Sequence, residues 1–284
     1  MDRPLVSVLI TAYNREEYIA EAIESVLTSS YANFELIIVD DCSSDKTVST
    51  ARKYAKNDAR IKLFMNEANL GQFANRNLAA SYASGEFIKY VDSDDKIYPH
   101  TLEMMVKAML CFPEAGLGFC LTHGPCKRPL PYQVNSTEAL HQHYFGGGLL
   151  FCGPSGLIIR RSAFERVGGF EEYGMPSDNH LALKIGAMFP VVAMTRDLFW
   201  WRIHPLQEFS LKVGRPINIL NNYKYNSDII RKYSVLSIEE NRKVLYNLKK
   251  IFWLNLFKLA VHRRKPMAAL KLALAISKKP SLSQ

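Results

Sequence analysis

The chain has 284 residues, 48% of them hydrophobic and 22% charged, an ordinary globular composition with room for one large α/β domain or two small ones. The net charge of +9 is uneven: residues 211–284 carry 16 Lys and Arg against three acids, whereas the first 210 carry 20 against 24. That is not the pattern of a uniformly basic nucleic-acid binder, and no recognition-helix signature or basic and aromatic ladder supports a nucleic-acid partner. The five cysteines, Cys42, Cys111, Cys120, Cys126 and Cys152, include no C-x-x-C pair. Neither a disulfide framework nor a zinc site is indicated, and a reducing, cytoplasmic setting is expected.

In chain order, "MDRPLVSVLI" runs almost directly into a strand without a basic n-region, an apolar h-region or a cleavage site, so no secretion signal is expected. "EEYIAEAIESVLTS" has apolar residues at helical spacing, "FELIIVD" reads as a buried strand and "DKTVSTARKYAK" as a polar-faced helix. "IKLFMN" and "GEFIKYVD" are further strands on either side of the helical "GQFANRNLAASYAS". This alternation predicts a mostly parallel sheet covered by helices on both faces, with ligands beyond the carboxyl ends of the strands. The polar residues cluster at those ends: Thr11 to Asn14, Asp40 to Ser43, "NEANLG" and "DSDD". No G-x-G-x-x-G follows the first strand and no G-K-[ST] occurs, so a dinucleotide fingerprint and a P-loop are absent.

The "DSDD" at 92–95 packs three carboxylates into four positions, followed by a helix expected to begin near Pro99 or His100. One carboxylate suffices for a cap; three repel unless a cation or several donors sit among them, which points to a divalent metal or a polyhydroxyl ligand. On an extended segment the side chains at 92 and 94 point the same way and could reach one ligand.

The ordered set "VSVLITAYN", "ELIIVDDCSSDKT", "NLGQFANRNLAASYASGEFIKYVDSDD", "LIIRRSAFERVGGF" and "DNHLALKIG", covering roughly residues 5 to 210, closely resembles family 2 of the inverting glycosyltransferases, with the GT-A fold. The resemblance implies a nucleotide-sugar donor, a UDP-sugar favoured, with the base held by Thr11, Tyr13 and Asp41 and with Ala12 and Asn14 among the donor-binding residues. It extends the donor contacts to Asn69, Gly71 and Arg76. It assigns Asp92 and Ser93 to the ribose side and Asp94 to a divalent cation, Mn2+ or Mg2+, on the diphosphate. Asp95 keeps three open roles: a water on the metal, the donor sugar, or a helix cap.

By the same resemblance Asp178 is the general base, although Ser177 stands where the family commonly has Glu, and the pattern alone equally permits Asp178 to cap "NHLALKIGAM". Glu171 and Glu172 are the fallback bases, expected to face solvent. "WRIHP" resembles a family strand ending in Arg-Arg-His, which makes His204 a candidate metal ligand and Arg202 a candidate diphosphate contact. Of Trp200 and Trp201, adjacent on a strand, one is expected in the core and the other on a sugar face. "HYFGGGLLFCGPSG" reads as a flexible acceptor-side loop.

Toward the C-terminus, Ser237 and Glu240 form a capping box opening a helix through "NRKVLYNLKKIFWLNLFKLAVHRR", and Pro266 suits the first turn of a second helix. Neither reaches the ~18 apolar residues of a membrane span. Their mixture of bulky apolar and basic residues fits either an anionic membrane surface or packing on the catalytic domain or another subunit. The expected organisation is a GT-A domain over 1–210, with nucleotide-sugar binding at about 1–100 and the acceptor side at about 101–210, and a basic amphipathic helical tail over 211–284. The expected function is transfer of a sugar to a glycan acceptor of lipid-linked polysaccharide type, at the cytoplasmic side of the membrane. The alternatives are a nucleotidyl- or phosphotransferase and a non-catalytic sugar-nucleotide-binding module.

Overall fold

The structure is a computed structural model and describes residues 3–121, 128–174, 177–205, 207 and 214–277. Cys126, the side chain of Ser177, most of the stretch after Pro205 up to 213, and the tail beyond Ser277 lie outside the described residues. The first hundred residues alternate as predicted: β1 (Val6–Ala12), α1 (Ile19–Leu27), β2 (Phe34–Asp40), α2 (Thr47–Asn57), β3 (Ile61–Met65), α3 (Gln72–Ser81) and β4 (Phe87–Tyr90). Then follow β5 (Lys96–Ile97), α4 (Thr101–Leu110), β6 (Leu117–Cys120), β7 (Tyr132–Val134), α5 (Ser136–Phe145), β8 (Leu157–Arg160), α6 (Arg161–Val167), α7 (Ser177–Met188), β9 (Val191–Met194) and β10 (Phe199–Trp200). The chain closes with α8 (Ile217–Lys232), α9 (Ile238–Val261) and α10 (Pro266–Ser277).

Among the described residues the main sheet has the order β3-β2-β1-β4-β8-β6-β9-β7. The strands from β3 to β4 run parallel, as do β6 and β9, while β8 lies antiparallel between β4 and β6 and β7 pairs antiparallel with β9. Chain order leaves β1 toward β2 on one side and toward β4 on the other, which makes the β1/β4 exits the switch point of the sheet. Every residue of β2 is buried, and so are all but Thr11 in β1, as expected of strands covered on both faces.

Three expectations are corrected here. The "DSDD" segment is not extended: the Asp95 N–H closes a turn on the Asp92 carbonyl, and β5 intervenes before α4, so Asp95 is no helix cap. Trp200 and Trp201 are both exposed, 42% and 46%, because β10 is a two-residue strand paired with β5 outside the main sheet. The glycine loop is anchored beyond the glycines: Gly146 and Gly147 are exposed, but Leu150 and Cys152 are buried and the Leu150 N–H donates to His143 Nδ1 at 3.3 Å.

The tail divides unequally. Helix α8 gave no periodic signal, because its buried residues include Asn226 and Ser227 beside Leu220, Tyr225, Ile229 and Ile230. Tyr225, Ile229 and Ile230 belong to the main core, so that core continues past residue 210. The capping box of Ser237 and Glu240 forms as predicted, and a second small core of Leu220, Phe252, Leu256, Leu259, Ala269 and Leu272 joins α8, α9 and α10. Among the described residues no helix is long and apolar enough to cross a membrane.

A buried carboxylate ties β1, β2 and the approach to β4 together. Glu35 accepts from Ser7 Oγ at 2.6 Å, from Ser84 N and Oγ at 2.8 Å each, and from Lys62 Nζ at 2.7 Å. Burial pushes its pKa up, but Lys62, Ser7 and Ser84 more than reverse this and lower it from 4.5 to about 2. Because the folded value is depressed, its stabilisation is complete above about 4.5 and is lost as pH falls toward about 2. Glu35→Gln is therefore expected to cost about 2 kcal/mol at neutral pH. Urea denaturation of both forms across pH checks it: the difference should shrink steadily below pH 4.5.

Candidate active site

The exits of β1 and β2 are stitched into one rim. Asp40 accepts from Ser43 N at 2.8 Å and Ser43 Oγ at 2.5 Å, Ser43 Oγ accepts from Asn14 N at 2.8 Å, and Asn14 Oδ1 accepts from Ser44 N at 2.9 Å. These turns need left-handed backbone at Asn14 (φ 50°) and Cys42 (φ 66°), a conformation that Asn adopts at lower cost than most residues. The Asp41 N–H donates to the Ala12 carbonyl at 2.8 Å, joining the two exits directly.

The residues expected to hold a nucleotide base meet at this rim. Tyr13 is exposed, Thr11 is half-buried and Asp41 is buried. Asp41 Oδ1 accepts from Asn66 Nδ2 and Leu70 N at 2.8 Å, and Oδ2 from Gly71 N at 3.0 Å; Asn69 Nδ2 reaches the Asp41 carbonyl at 3.2 Å. Asn69 and Gly71 thus shape the pocket wall by anchoring on Asp41. Gly71 takes φ +88° at the start of α3, where a side chain would be strained.

The carboxylates at 92–95 are answered one by one by protein donors. Asp92 Oδ1 accepts from Arg76 Nη2 at 2.7 Å, and its N–H donates to Ser155 Oγ at 3.0 Å. Asp94 Oδ2 lies 3.0 Å from His204 Nε2 and 3.4 Å from Arg15 Nε, and its carbonyl accepts from Arg202 Nε at 2.9 Å. Asp95 Oδ1 accepts from the Arg202 N–H at 3.1 Å; burial, reinforced by the charge of Asp92, pushes its pKa up to about 7. Ser93 is buried between them. Pairing of Phe199 with Ile97 and Trp200 with Lys96 carries residues 201–204 to the carboxylates. Arg202 also packs over the rings of Trp200 and Tyr18, at 4.7 and 5.0 Å, and bonds Glu21 at 3.0 Å.

Asp94 Oδ2 and His204 Nε2 are a hard oxygen and an imidazole nitrogen facing each other, a donor pair that suits a small divalent cation. Among the described residues no three His, Cys, Asp or Glu side chains gather as a cage. The pair therefore fits an ion of the Mg2+ or Mn2+ kind, which takes few protein ligands and completes its shell from phosphate and water.

Across the crevice, Asp178 in the first turn of α7 accepts from Arg76 Nη1 at 2.6 Å. One guanidinium, 4% exposed, so bridges Asp178 and Asp92, and it lies over the rings of Phe170 and Phe73 at 5.6 and 5.7 Å. Burial alone would push its pKa down, but Asp178 and Asp92 reverse this and raise it above the usual arginine value. The fallback bases are engaged elsewhere. Glu171, with 37% of its side chain exposed, accepts from buried Lys184 at 2.5 Å, while exposed Glu172 accepts from Gly174 N at 3.2 Å.

Sequence reasoning overlooked Arg15, Ser155 and Lys89. Lys89 is fully buried in β4; its Nζ donates to the Tyr90 carbonyl at 3.1 Å and to the Ser155 carbonyl, which sets Ser155 against Asp92. A lysine inside the apolar run "FIKYV" was the available signal. Arg76→Met should cost about 2 kcal/mol, less than the ~3–5 kcal/mol of a fully buried broken pair, because Asp92 and Asp178 retain some access to water. Arg76→Lys should recover only part of this, since a point charge cannot fork between two carboxylates. Chemical denaturation of the two variants checks both.

A protein-family model described as glycosyl transferase family 2 matches residues 7–168. The UDP-Glc:alpha-D-GlcNAc-diphosphoundecaprenol beta-1,3-glucosyltransferase WfgD of Escherichia coli is 46% identical over 110 residues, 39% of this chain and 43% of that protein, so the match spans less than half of that relative's length. Among solved structures, S. aureus TarS 1-349 in complex with UDP-GlcNAc superposes with a TM-score of 0.73 at 21% identity, covering 94% of this chain and 79% of that one. The mannosyltransferase PcManGT of Pyrobaculum calidifontis, in complex with GDP-Man and Mn2+, gives a TM-score of 0.63 at 20% identity, covering 98% and 77%. At these identities the likeness is one of fold, and the α/β architecture with C-terminal helices is the GT-A arrangement. With its strand exits in that arrangement and the family model matched over more than half its length, the chain belongs to glycosyl transferase family 2.

Proposed function

We propose that the protein is a metal-assisted inverting glycosyltransferase that moves a sugar from a nucleotide-sugar donor to a glycan acceptor of lipid-linked polysaccharide type. The observation that carries this reading is the single buried Arg76 guanidinium, which holds Asp178 at the start of α7 opposite the donor-side Asp92. Asp178 takes the proton of the attacking acceptor hydroxyl, as a general base positioned by Arg76. Thr11, Tyr13 and Asp41 receive the nucleotide base, and Asp92 with Ser93 the ribose. Asp94 and His204 hold Mn2+ or Mg2+, which when bound neutralises charge on the departing diphosphate. Asp95 and Arg202 keep the 92–95 turn in place through the Arg202 N–H and side chain.

A UDP-sugar is favoured as donor and a diphospholipid-linked sugar as acceptor, in keeping with the substrates that WfgD is named for and with the UDP-GlcNAc bound by TarS. The Mn2+ in the PcManGT complex supports the choice of ion. A lipid-linked acceptor places the enzyme at a membrane surface, and α9 offers one: Trp253, Leu254 and Phe257 are exposed beside Lys249, Lys250 and Lys258.

Asp178→Asn is expected to bind a UDP-sugar as wild type does and to lose roughly 10²- to 10⁴-fold in transfer rate. Asp94→Ala should bind donor with no gain from Mn2+. Calorimetry of donor binding with and without Mn2+, followed by identification of the released products, decides both. Nucleoside diphosphate must be released; turnover within a few-fold of wild type in the Asn variant would remove Asp178 from the mechanism. The protein should also sediment with anionic vesicles, less at high salt, whereas a chain truncated before Ser237 should remain in the supernatant.

A further inference from the structure

Away from the carboxylates, α8, α9 and the turn after α5 enclose a cleft of about 200 Å3, far more than the ~10–15 Å3 one water requires. Its composition is unusual for a helix interface. Helix α8 presents Ile219, Asn222, Tyr223 and Asn226 to it at spacings of three and four, and α9 presents Asn247, Ile251 and Asn255 in the same rhythm. Asparagine is a poor interior helix residue, because its amide competes for nearby backbone groups, yet four line one cavity. Asn222 and Asn226 bond each other at 2.7 Å, whereas the amides of Asn247 and Asn255 have no hydrogen-bond partner among the described residues. The buried Tyr144 hydroxyl, on the opposite wall, also has none.

The rest of the lining mixes aromatic rings, Phe151, Tyr223 and Phe252, with His143 and the aliphatic Val244 and Leu248. No Lys, Arg, Asp or Glu is among the residues lining the cleft, although residues 211–284 carry 16 Lys and Arg. The lining therefore offers neutral donors and acceptors beside aromatic rings, which matches uncharged polyhydroxyl ligands and provides no partner for a phosphate or carboxylate. The cleft is also connected to the crevice. Buried Tyr225 of α8 has the side chains of Asn226, from the cleft, and Asn179, the residue after Asp178, beside it.

We infer that this cleft is an acceptor subsite that binds neutral sugar units of the glycan beyond the one that reacts at Asp178. The inference rests on the glycosyltransferase reading for the identity of the glycan, but its test is one of binding. Full-length protein is titrated with maltotriose, cellotriose and chitotriose by saturation-transfer NMR, with donor binding followed in parallel by calorimetry. At least one trisaccharide should bind, Asn247→Leu/Asn255→Leu should weaken it tenfold or more, and Tyr144→Phe, which removes only an unpartnered hydroxyl, should weaken it several-fold. Donor affinity should be unchanged in both variants, which also reports that they are folded. Binding of none of the three, binding indifferent to both variants, or binding of decyl maltoside without maltotriose, as in a slot for an alkyl chain, overturns the subsite. Failure of donor binding with trisaccharide binding intact would instead remove the glycosyltransferase reading and leave the subsite standing.

Discussion

The structure depends on one electrostatic constraint: carboxylates gathered at the exits of buried strands must find positive partners before the chain can close over them. Arg76 meets the strictest part of it. Its guanidinium is almost wholly removed from water, a state tolerable only because two of its nitrogens reach Asp92 and Asp178 and its face lies near two phenylalanine rings. That one side chain fixes α3, the turn after β4 and the start of α7 relative to each other. The others are subordinate: Arg15 and His204 converge on Asp94, and Arg202 clamps the same turn from the β10 arm. Sites of this kind are rigid because repulsion among the acids penalises any opening that separates them from their partners.

The parallel half of the fold was legible because each strand is buried on both faces, so its apolar run stops abruptly where the polar exit begins. Asp41, Asp92 and Asp94 could be found from that boundary alone. Their present partners could not. The bridge from Arg76 to Asp178 pairs residues whose separation carries no local periodicity, and β5 and β10 are too short to leave a pattern. Helix α8 was missed for a different reason: its stripe of Asn, Tyr and Ser lowers helix propensity and blurs the apolar rhythm, and contacts with α7, α9 and α10 stabilise it. The turn at 146–153 was misjudged because glycine content says how freely a backbone can bend, not whether neighbours then lock it.

The distribution of charge acquires a spatial meaning in this fold. Six of the 24 acids of the first 210 residues, Asp40, Asp41, Asp92, Asp94, Asp95 and Asp178, gather at the strand exits and the start of α7, which is tenable only because arginines are interleaved with them. The basic excess of the tail lies on helices that form their own small core beside the main one.

The separations along the chain have a kinetic consequence. Asp92 meets Ser155 across 63 residues, Arg76 meets Asp178 across 102, and Arg202 and His204 meet the 92–95 turn across 107 and 110. Loop closures of that length are slow and carry an entropy cost that local helices do not. During synthesis the first hundred residues emerge with their acids in place and only Arg15 and Arg76 among these partners yet made. The strands that bear the site can form early, while the site itself is completed only when the segments through His204 have been made and have docked. A cut after the first hundred residues would part Arg76 from Asp178 and the 92–95 turn from Arg202 and His204.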